Sequence, residues 1–220
     1  KIFSREELEF IAGLLQKHDA YAVCDEVYEH LVFDGAQHVA MAALPGMRER
    51  TLVISSGGKT FSTTGWKIGW MCGPAPVVAA ARTAKQFLTY VNGGPFQPAI
   101  ALGLGLPDEF YARLAAEMQA RRDRLMPGLV EAGFEVYPTS STYFVTVDIR
   151  PLQPDGDGMR FCRALPHHCG VVAIPAEVLY ANKDEGRHIV RFAFCTSRRN
   201  VWRCTAATSI RSSCVVRWWA

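Results

Sequence analysis

Two short apolar runs, each followed at once by polar side chains, constrain the fold of this chain more than any other feature. Tyr21–Cys24 leads into Asp25, and Leu52–Ile54 leads into Ser56. Apolar runs of this length are typical of buried strands, and open α/β sheets bind ligands beyond the carboxyl ends of their strands. The sequence therefore predicts that the polar residues after the two runs meet in one crevice.

The residue types after these runs have the chemistry of a pyridoxal phosphate (PLP) site. A carboxylate such as Asp25 keeps a pyridine nitrogen protonated, and an amine such as Lys59 forms a Schiff base with an aldehyde. Tyr28 is placed to hydrogen-bond a ring oxygen, and Val27 to lie against one face of the ring. Together these residues predict half of a site for this cofactor.

A phosphate site is predicted beside the lysine. Lys67 comes eight residues after Lys59, and Ser56 precedes a pair of glycines. A lysine, a hydroxyl and the backbone N–H groups of a glycine turn favour phosphate binding. The Gly-Lys-Thr triplet around Lys59 also resembles the end of a nucleotide-binding P-loop, but that pattern needs a glycine where this chain has Val53.

Three separated motifs resemble the class I and II aminotransferases of PLP fold type I. They are Asp-Glu-Val-Tyr at 25–28, Ser-Gly-Gly-Lys-Thr-Phe at 56–61 and Thr-Gly-Trp-Lys-Ile-Gly-Trp at 64–70. The most similar branch holds the kynurenine aminotransferases (glutamine transaminase K-like) and the actinobacterial succinyldiaminopimelate aminotransferases, and the resemblance runs from Lys1 to about Cys195. It implies that Lys59 joins PLP, that Asp25 meets the ring nitrogen and Tyr28 the ring hydroxyl, and that Ser56 and Lys67 bind phosphate.

An arginine stands inside the last apolar run, Ile189–Phe194. A charged side chain on such a strand is costly to bury unless it meets an anion. The resemblance implies that Arg191 binds the α-carboxylate of the substrate, and a structural ion pair with a buried acid is the alternative. The implied reaction moves an amino group from an amino acid donor to a 2-oxo acid acceptor.

The predicted fold class is α/β. The resemblance implies that residues 1–106 are the C-terminal part of a large PLP-binding domain with a mostly parallel sheet, that 107–133 form an interdomain helix, and that 134–195 form a small α/β domain. Apolar periodicity predicts helices at 4–18, 76–91 and 155–169, a long helix that ends at 132–133, and strands at 134–137, 142–149, 171–175 and 189–194.

Both ends of the chain carry expectations of their own. The family has an Asn-Pro-x-x-Asn-Pro-Thr-Gly loop, a phosphate loop and an N-terminal arm ahead of the helix at 4–18, so the resemblance implies a truncated member. Residues 196–220 contain five arginines and three tryptophans but no Asp or Glu. This break in composition predicts a reading-frame shift and a poorly ordered tail, with a basic nucleic-acid-binding arm as the alternative.

A glycine of the family pattern is missing from this chain. The family has a glycine before its Tyr-Phe pair, where this chain has Ser140-Ser141-Thr142. If that glycine takes a positive φ, the corresponding turn is strained here.

Charge and cysteine usage exclude several function classes. The net charge is only +3 and the sequence has no leader or long apolar run, so we expect a cytoplasmic protein that binds neither nucleic acid nor membrane. The seven cysteines are scattered, which favours reduced thiols. No metal site is expected, because the cluster at 162–169 lacks a recognised zinc spacing. His30 and His38 are expected to be solvated or structural, with a role as ligands or acid/base groups as the alternative.

The predicted function is therefore a PLP-dependent aminotransferase, in a fragment that is impaired on its own. The intact family implies a homodimer. A non-catalytic remnant that at most binds PLP is the alternative.

Overall fold

A computed structural model describes residues 2–195, so the tail at 196–220, with its predicted disorder, lies outside the described residues. The chain divides into two compact units between Ala115 and Ala116. Within residues 2–195, no helix is both long enough and apolar enough to cross a membrane.

The first unit contains a sheet and four helices ahead of the boundary. Its strands are β1 (Ala22–Asp25), β2 (Thr51–Ser56) and β3 (Gly69–Cys72), and its helices are α1 (Arg5–Lys17), α2 (Gly57–Thr60), α3 (Ala75–Leu88) and α4 (Gln97–Leu104). Short 3-10 helices lie at Met41–Ala43, Arg48–Arg50, Thr64–Trp66 and Gly94–Phe96. The helix α5 (Asp108–Glu131) runs across the boundary between the units.

The second unit is built on another sheet. Its strands are β4 (Glu135–Val136), β5 (Phe144–Asp148), β6 (Ile174–Pro175) and β7 (Ile189–Ala193), and its helices are α6 (Gly158–Cys169), α7 (Lys183–Gly186) and a 3-10 helix at Ala176–Leu179. The prediction of a strand over 171–175 is right only for the last two of those residues. The predicted helix over 155–169 begins at Gly158, where the Asp157 carboxylate accepts a hydrogen bond from the Arg160 N–H at 2.9 Å and caps the helix.

The first helix starts as its sequence predicts. The Ser4 hydroxyl accepts a hydrogen bond from the Glu7 N–H at 3.2 Å, and the Glu7 carboxylate accepts one from the Ser4 N–H at 2.9 Å. This capping box satisfies backbone donors that the first helical turn leaves unpaired. Leu8 and Ala12 then pack against Met41 and Met47 in the core of the first unit.

The sheet of the first unit has the order β1-β2-β3. The predicted parallel arrangement is confirmed for β1 and β2, which pair from Ala22 opposite Thr51 to Asp25 opposite Ile54. β3 runs antiparallel to β2, and it is a strand that the apolar pattern does not reveal. Both parallel strands therefore deliver their carboxyl ends, and the polar residues that follow, to the same edge of the sheet.

The sheet of the second unit is antiparallel, with the order β4-β5-β7-β6. The predicted burial of one face of β5 is confirmed, since Val145 and Val147 are fully buried. Phe134 meets Phe161 and Phe192 edge-on, with ring centroids 5.9 Å and 5.7 Å apart. Edge-to-face aromatic pairs add to the free energy of area burial, so this cluster holds α6 against the sheet.

Thr142 adopts a left-handed backbone conformation, with φ at +75°. This residue stands directly before the Tyr-Phe pair, so the chain takes a positive φ there at a residue other than glycine. A β-branched residue is a genuine outlier in that region, because its Cβ crowds the neighbouring carbonyl oxygen. The turn therefore carries the strain that its sequence predicts.

Replacing Thr142 with glycine is expected to raise the free energy of unfolding by about 1 kcal/mol, because glycine takes this φ without a steric cost. The loss of the weak contact between the Thr142 hydroxyl and the Phe144 N–H, at 3.4 Å, offsets little of that gain. Urea unfolding of the two proteins measures the difference. Ser141→Gly is the matched control and should not stabilise the chain; an equal gain there would contradict the assignment of strain to Thr142.

Candidate active site

The register of the parallel strands gathers the first site residues on one face of the sheet. Asp25 is the last residue of β1 and lies directly opposite Ile54 on β2. Side chains of paired residues point to the same face, and so do those two residues apart along a strand. Asp25, Ile54 and Ser56 therefore share one face at the carboxyl ends of β1 and β2.

A cavity of about 600 Å³ opens beside these strand ends, a size within the usual range for small-molecule sites. The sheet contributes Ile54, Ser56 and Met71, while the turn after β2 contributes Lys59 and the next turn Lys67. The helix α3 adds residues at positions i, i+4 and i+7 of one helical face: Val78, Arg82 and Lys85. The lining thus holds four basic side chains and no carboxylate, which favours an anionic ligand.

Two glycines let the turn after β2 fold tightly. A Cβ on Gly57 would overlap the side chain of Ile100, and a Cβ on Gly58 would lie 3.1 Å from the Thr64 Cα. The hydroxyls of Thr63 and Thr64 donate hydrogen bonds to the carbonyl oxygens of these glycines, at 3.0 Å and 2.9 Å. The residues after β2 therefore present Lys59 from a turn that is fixed on both sides.

Lys59 and Tyr28 come together although they are far apart in sequence. The Lys59 Nζ lies 5.9 Å from the centroid of the Tyr28 ring. Lys67 has a left-handed backbone, with φ at +58°, and its carbonyl oxygen accepts a hydrogen bond from the Asn92 side chain. The Asn92 side chain thus holds the Lys67 backbone at the point where the chain passes from the 3-10 helix at Thr64–Trp66 into β3.

Asp25 and Val27 occupy the bend directly after β1. The Asp25 carboxylate accepts a hydrogen bond from the Val27 N–H at 3.2 Å, which is the short-range bond of an Asx turn. The structure therefore brings Ser56, Lys59 and Lys67 to one cavity with Tyr28 beside Lys59, whereas Asp25 and Val27 are not among the residues that line it. The roles that the sequence assigns to all these residues stay predictions.

The segment from Asp25 to His30, which we call the Asp25–His30 segment, is also held by side chains that the sequence did not single out. The Glu26 carboxylate is only 8% exposed and contacts the His38 Nε2 at 2.9 Å and the Met41 N–H at 3.3 Å. The Glu29 carboxylate accepts a hydrogen bond from the buried Ser55 hydroxyl at 3.2 Å. Two acids of the Asp25–His30 segment therefore anchor the bend that carries Asp25 and Tyr28.

The two histidines of this region have separate partners. His38 pairs with Glu26, while the His30 ring stacks on Tyr111 with centroids 4.2 Å apart. The hydrogen bond to Glu26 raises the pKa of His38 above its ordinary value of 6.5, although burial opposes this rise. The sequence predicts that both histidines are structural or solvated. It does not identify their partners, because both contacts join residues that are distant in the chain.

Arg191 lies on β7 in the second unit, with its guanidinium carbon 4.4 Å from the centroid of the Phe144 ring. Asp148 is the buried acid of the neighbouring strand β5, but its carboxylate accepts hydrogen bonds from the Arg150 backbone and side chain. Among residues 2–195, no carboxylate forms an ion pair with Arg191. The structural ion pair proposed as the alternative role for Arg191 is therefore not formed within the described chain.

The His/Cys cluster at 162–169 has a structural setting. Cys162 is buried on α6, and this burial raises the pKa of its thiol to about 12. Within the described residues, no group of three or more His, Cys, Asp or Glu side chains is arranged to hold a metal ion. The thiol of Cys162 is thus a small apolar group on the buried side of α6.

Comparison with known proteins gives consistent matches across the chain. The sequence model of the family "Aminotransferase class I and II" matches residues 1–204. The probable N-succinyldiaminopimelate aminotransferase DapC of Mycobacterium tuberculosis is 48% identical over 202 residues, covering 88% of this chain and 51% of that protein. Kynurenine–oxoglutarate transaminase 1 of Homo sapiens is 37% identical over 213 residues, covering 88% and 50%.

Solved structures agree with these matches. The N-succinyldiaminopimelate aminotransferase structure from Mycobacterium tuberculosis has a TM-score of 0.89 and 47% identity, covering 96% of this chain and 54% of that one. YbdL from Escherichia coli, described with a methionine aminotransferase function, has a TM-score of 0.86 and 31% identity, covering 94% and 54%. The chain thus spans about half the length of the curated relatives it matches.

Proposed function

This chain belongs to the class I and II aminotransferases, and we propose that it carries the lysine-bearing part of a PLP-dependent enzyme of that family. The observation that carries the proposal is the convergence of Ser56, Lys59 and Lys67 on one cavity without a carboxylate in its lining. Such a lining attracts an anion, and a lysine amine is the group that binds an aldehyde.

The donor set of the cavity fits a phosphorylated pyridine aldehyde. Lys67 and the Ser56 hydroxyl are a cation and a donor of the kind that bind phosphate. Gly58 lets the turn pack closely against the next one, because a Cβ there would lie 3.1 Å from the Thr64 Cα. The cavity volume of about 600 Å³ leaves room for the ring and the phosphate. PLP and these residues are therefore compatible in charge, donor type and size.

Each residue of the site then has a physical task. The bound cofactor supplies an electron sink for negative charge at the substrate carbon. Lys59 would hold the cofactor aldehyde through its Nζ and would move a proton at the substrate carbon. Asp25 would keep a proton on the ring nitrogen, and Tyr28 would donate a hydrogen bond to the ring oxygen. Val27 would pack against one face of the ring.

Arg191 is the proposed partner of the substrate α-carboxylate. The absence of an acidic partner among residues 2–195 supports this role, and so does its contact with the Phe144 ring, a cation–π contact that restricts the guanidinium. The substrates are an amino acid donor and a 2-oxo acid acceptor. The higher identity to the Mycobacterium protein favours a donor of the N-succinyldiaminopimelate kind over kynurenine. Cytoplasmic location and homodimer formation stay predictions from the sequence.

Reductive trapping tests the proposed function directly. The 220-residue chain is mixed with PLP, reduced with borohydride to fix the cofactor to the amine that holds it, and digested for peptide mass analysis. We expect the phosphopyridoxyl group on Lys59, because the fixed turn after β2 presents its amine to the cavity.

Pyridoxal without phosphate is the matched control ligand. It should label Lys59 far more weakly, because Lys67 and Ser56 then have no phosphate to bind. Equal labelling of Lys17 and Lys183, which do not line the cavity, would contradict the proposal, and so would the absence of any labelling.

A further inference from the structure

A buried carboxylate, that of Glu26, is one of the groups that tie the bend carrying Asp25 and Tyr28 to the rest of the first unit. Glu26 stands between Asp25 and Val27, and its side chain is 8% exposed. A buried charge is destabilising unless hydrogen bonds and an opposite charge surround it. Here the two carboxylate oxygens contact the His38 Nε2 at 2.9 Å and the Met41 N–H at 3.3 Å. Both partners lie within residues 38–41, so Glu26 joins the bend to that segment. We call these contacts of the Glu26 carboxylate the clip.

The backbone of Glu26 is hydrogen-bonded on both sides of the same bend. The Glu26 N–H donates to the Ile54 carbonyl oxygen at 2.9 Å, which extends the pairing of β1 and β2 by one residue. The Glu26 carbonyl oxygen in turn accepts from the Glu29 N–H at 2.9 Å, closing a turn around Tyr28. The residue whose side chain forms the clip is therefore also the one whose backbone joins Asp25 and Tyr28 to the sheet.

We propose that the His38–Glu26 ion pair is a positioning device that holds Asp25 and Tyr28 in place for PLP, and that this hold is strongest at the acidic end of the neutral pH range. The inference rests on the proposed function, since it concerns the residues assigned to the cofactor ring. Glu26 and His38 are positioning residues, because neither is assigned a contact with PLP itself.

The charges around His38 determine the sign of the pH effect. The Glu26 hydrogen bond raises the pKa of His38, burial lowers it, and the charges of Glu26 and Glu29 raise it further, with the pKa ending above 6.5. A group whose pKa is raised on folding stabilises the fold fully below its unfolded pKa, and this contribution is lost as the pH rises through the folded pKa. The clip therefore weakens as the solution becomes alkaline.

The pH profile of PLP affinity tests the inference. Affinity is measured from the absorbance of the 220-residue chain from about pH 6 to pH 9, a window that spans histidine titration. The induced circular dichroism of the cofactor band reports how firmly the ring is held. We expect the dissociation constant of the wild-type chain to rise about tenfold across the His38 titration, as for loss of one charged hydrogen bond. The His38→Gln variant should lack this step, because glutamine does not titrate.

His30→Gln is the matched control. His30 belongs to the same bend, but its Nε2 is 3.9 Å from the Glu29 carboxylate, beyond hydrogen-bond distance. This variant should keep the pH step. The informative quantity is the difference between the wild type and each variant, because any pH dependence of PLP binding that does not involve His38 is common to the wild type and His38→Gln.

The possible outcomes separate this inference from the proposed function. A cofactor band that is absent from the wild type at every pH would overturn the proposed function together with this inference. A band with the same pH profile in the wild type and His38→Gln would overturn the positioning role alone, even if thermal stability changed. If His38→Gln does not fold, Glu26→Gln takes its place, and a retained pH step in that variant would equally contradict the inference.

Discussion

Replacing Lys59 with alanine is expected to abolish the covalent attachment of PLP to this chain. The Lys59 Nζ is the amine that the fixed turn after β2 presents to the cavity, and it lies 5.9 Å from the Tyr28 ring centroid. Lys67 and Lys85 also line the cavity, but neither belongs to the turn after β2. The visible absorbance band that appears when PLP joins a lysine should be lost, and any remaining PLP should be removed by dialysis. Absorbance before and after dialysis measures both effects.

Two further lysine variants separate the loss of the covalent bond to PLP from the loss of a positive charge in the cavity. Lys67→Ala should keep the band but weaken PLP binding by about tenfold to a hundredfold, because a charge-assisted hydrogen bond to phosphate is lost. Lys85→Ala removes an equal charge from the same cavity, but this amine already donates to the Tyr90 carbonyl oxygen at 3.1 Å. It should keep the band. A band that survives in Lys59→Ala, or is lost in Lys85→Ala, would contradict the assignment of Lys59.

Local patterns were sufficient to predict the frame of the site. The apolar runs that end at Cys24 and Ile54 form the parallel pair β1 and β2, and the glycines before Lys59 form the tight turn. Each of these signals lies within a few residues of the feature it predicts. Elements whose pattern is local and periodic, such as α1 with its capping box at Ser4, are predicted for the same reason.

The features that sequence did not reveal depend on partners distant in the chain. β3 is a strand because residues 69–72 find hydrogen-bond partners on β2, although they show no alternation of polar and apolar side chains. The pairing of Glu26 with His38 and of Glu29 with Ser55 likewise has no local signature. A carboxylate directly after a predicted buried strand was the one available signal, since such a group needs a partner.

The strand predicted at 171–175 fails for a related reason. Val171 and Val172 have a high intrinsic preference for strands, but only Ile174 and Pro175 pair with β7. The strand preference of a residue type reflects how well its side chain packs in a sheet that has already formed. It does not by itself place a given residue in that sheet. Outside the paired residues, Val171 is buried without joining the sheet, whereas Val172 is exposed.

Replacing Arg191 with glutamine is expected to weaken the response of the PLP-loaded chain to carboxylate substrates by on the order of a hundredfold, which corresponds to the loss of a bidentate charged pair. The probes are L-glutamate and 2-oxoglutarate, and the measured quantity is the concentration that half-changes the absorbance of the cofactor. PLP affinity itself should be retained, because Arg191 lies on β7 and is not assigned a contact with the cofactor.

Two other arginine changes make this test specific. Arg191→Lys keeps the charge but loses the planar fork, so it should recover only part of the response. Arg187→Gln removes a nearby surface arginine, which is 3.8 Å from the Asp157 carboxylate and half-exposed, and should leave the response close to that of the wild type. If Arg191→Gln and Arg187→Gln respond alike, Arg191 stacks on Phe144 for structural reasons alone, and the substrate carboxylate must be bound by another group.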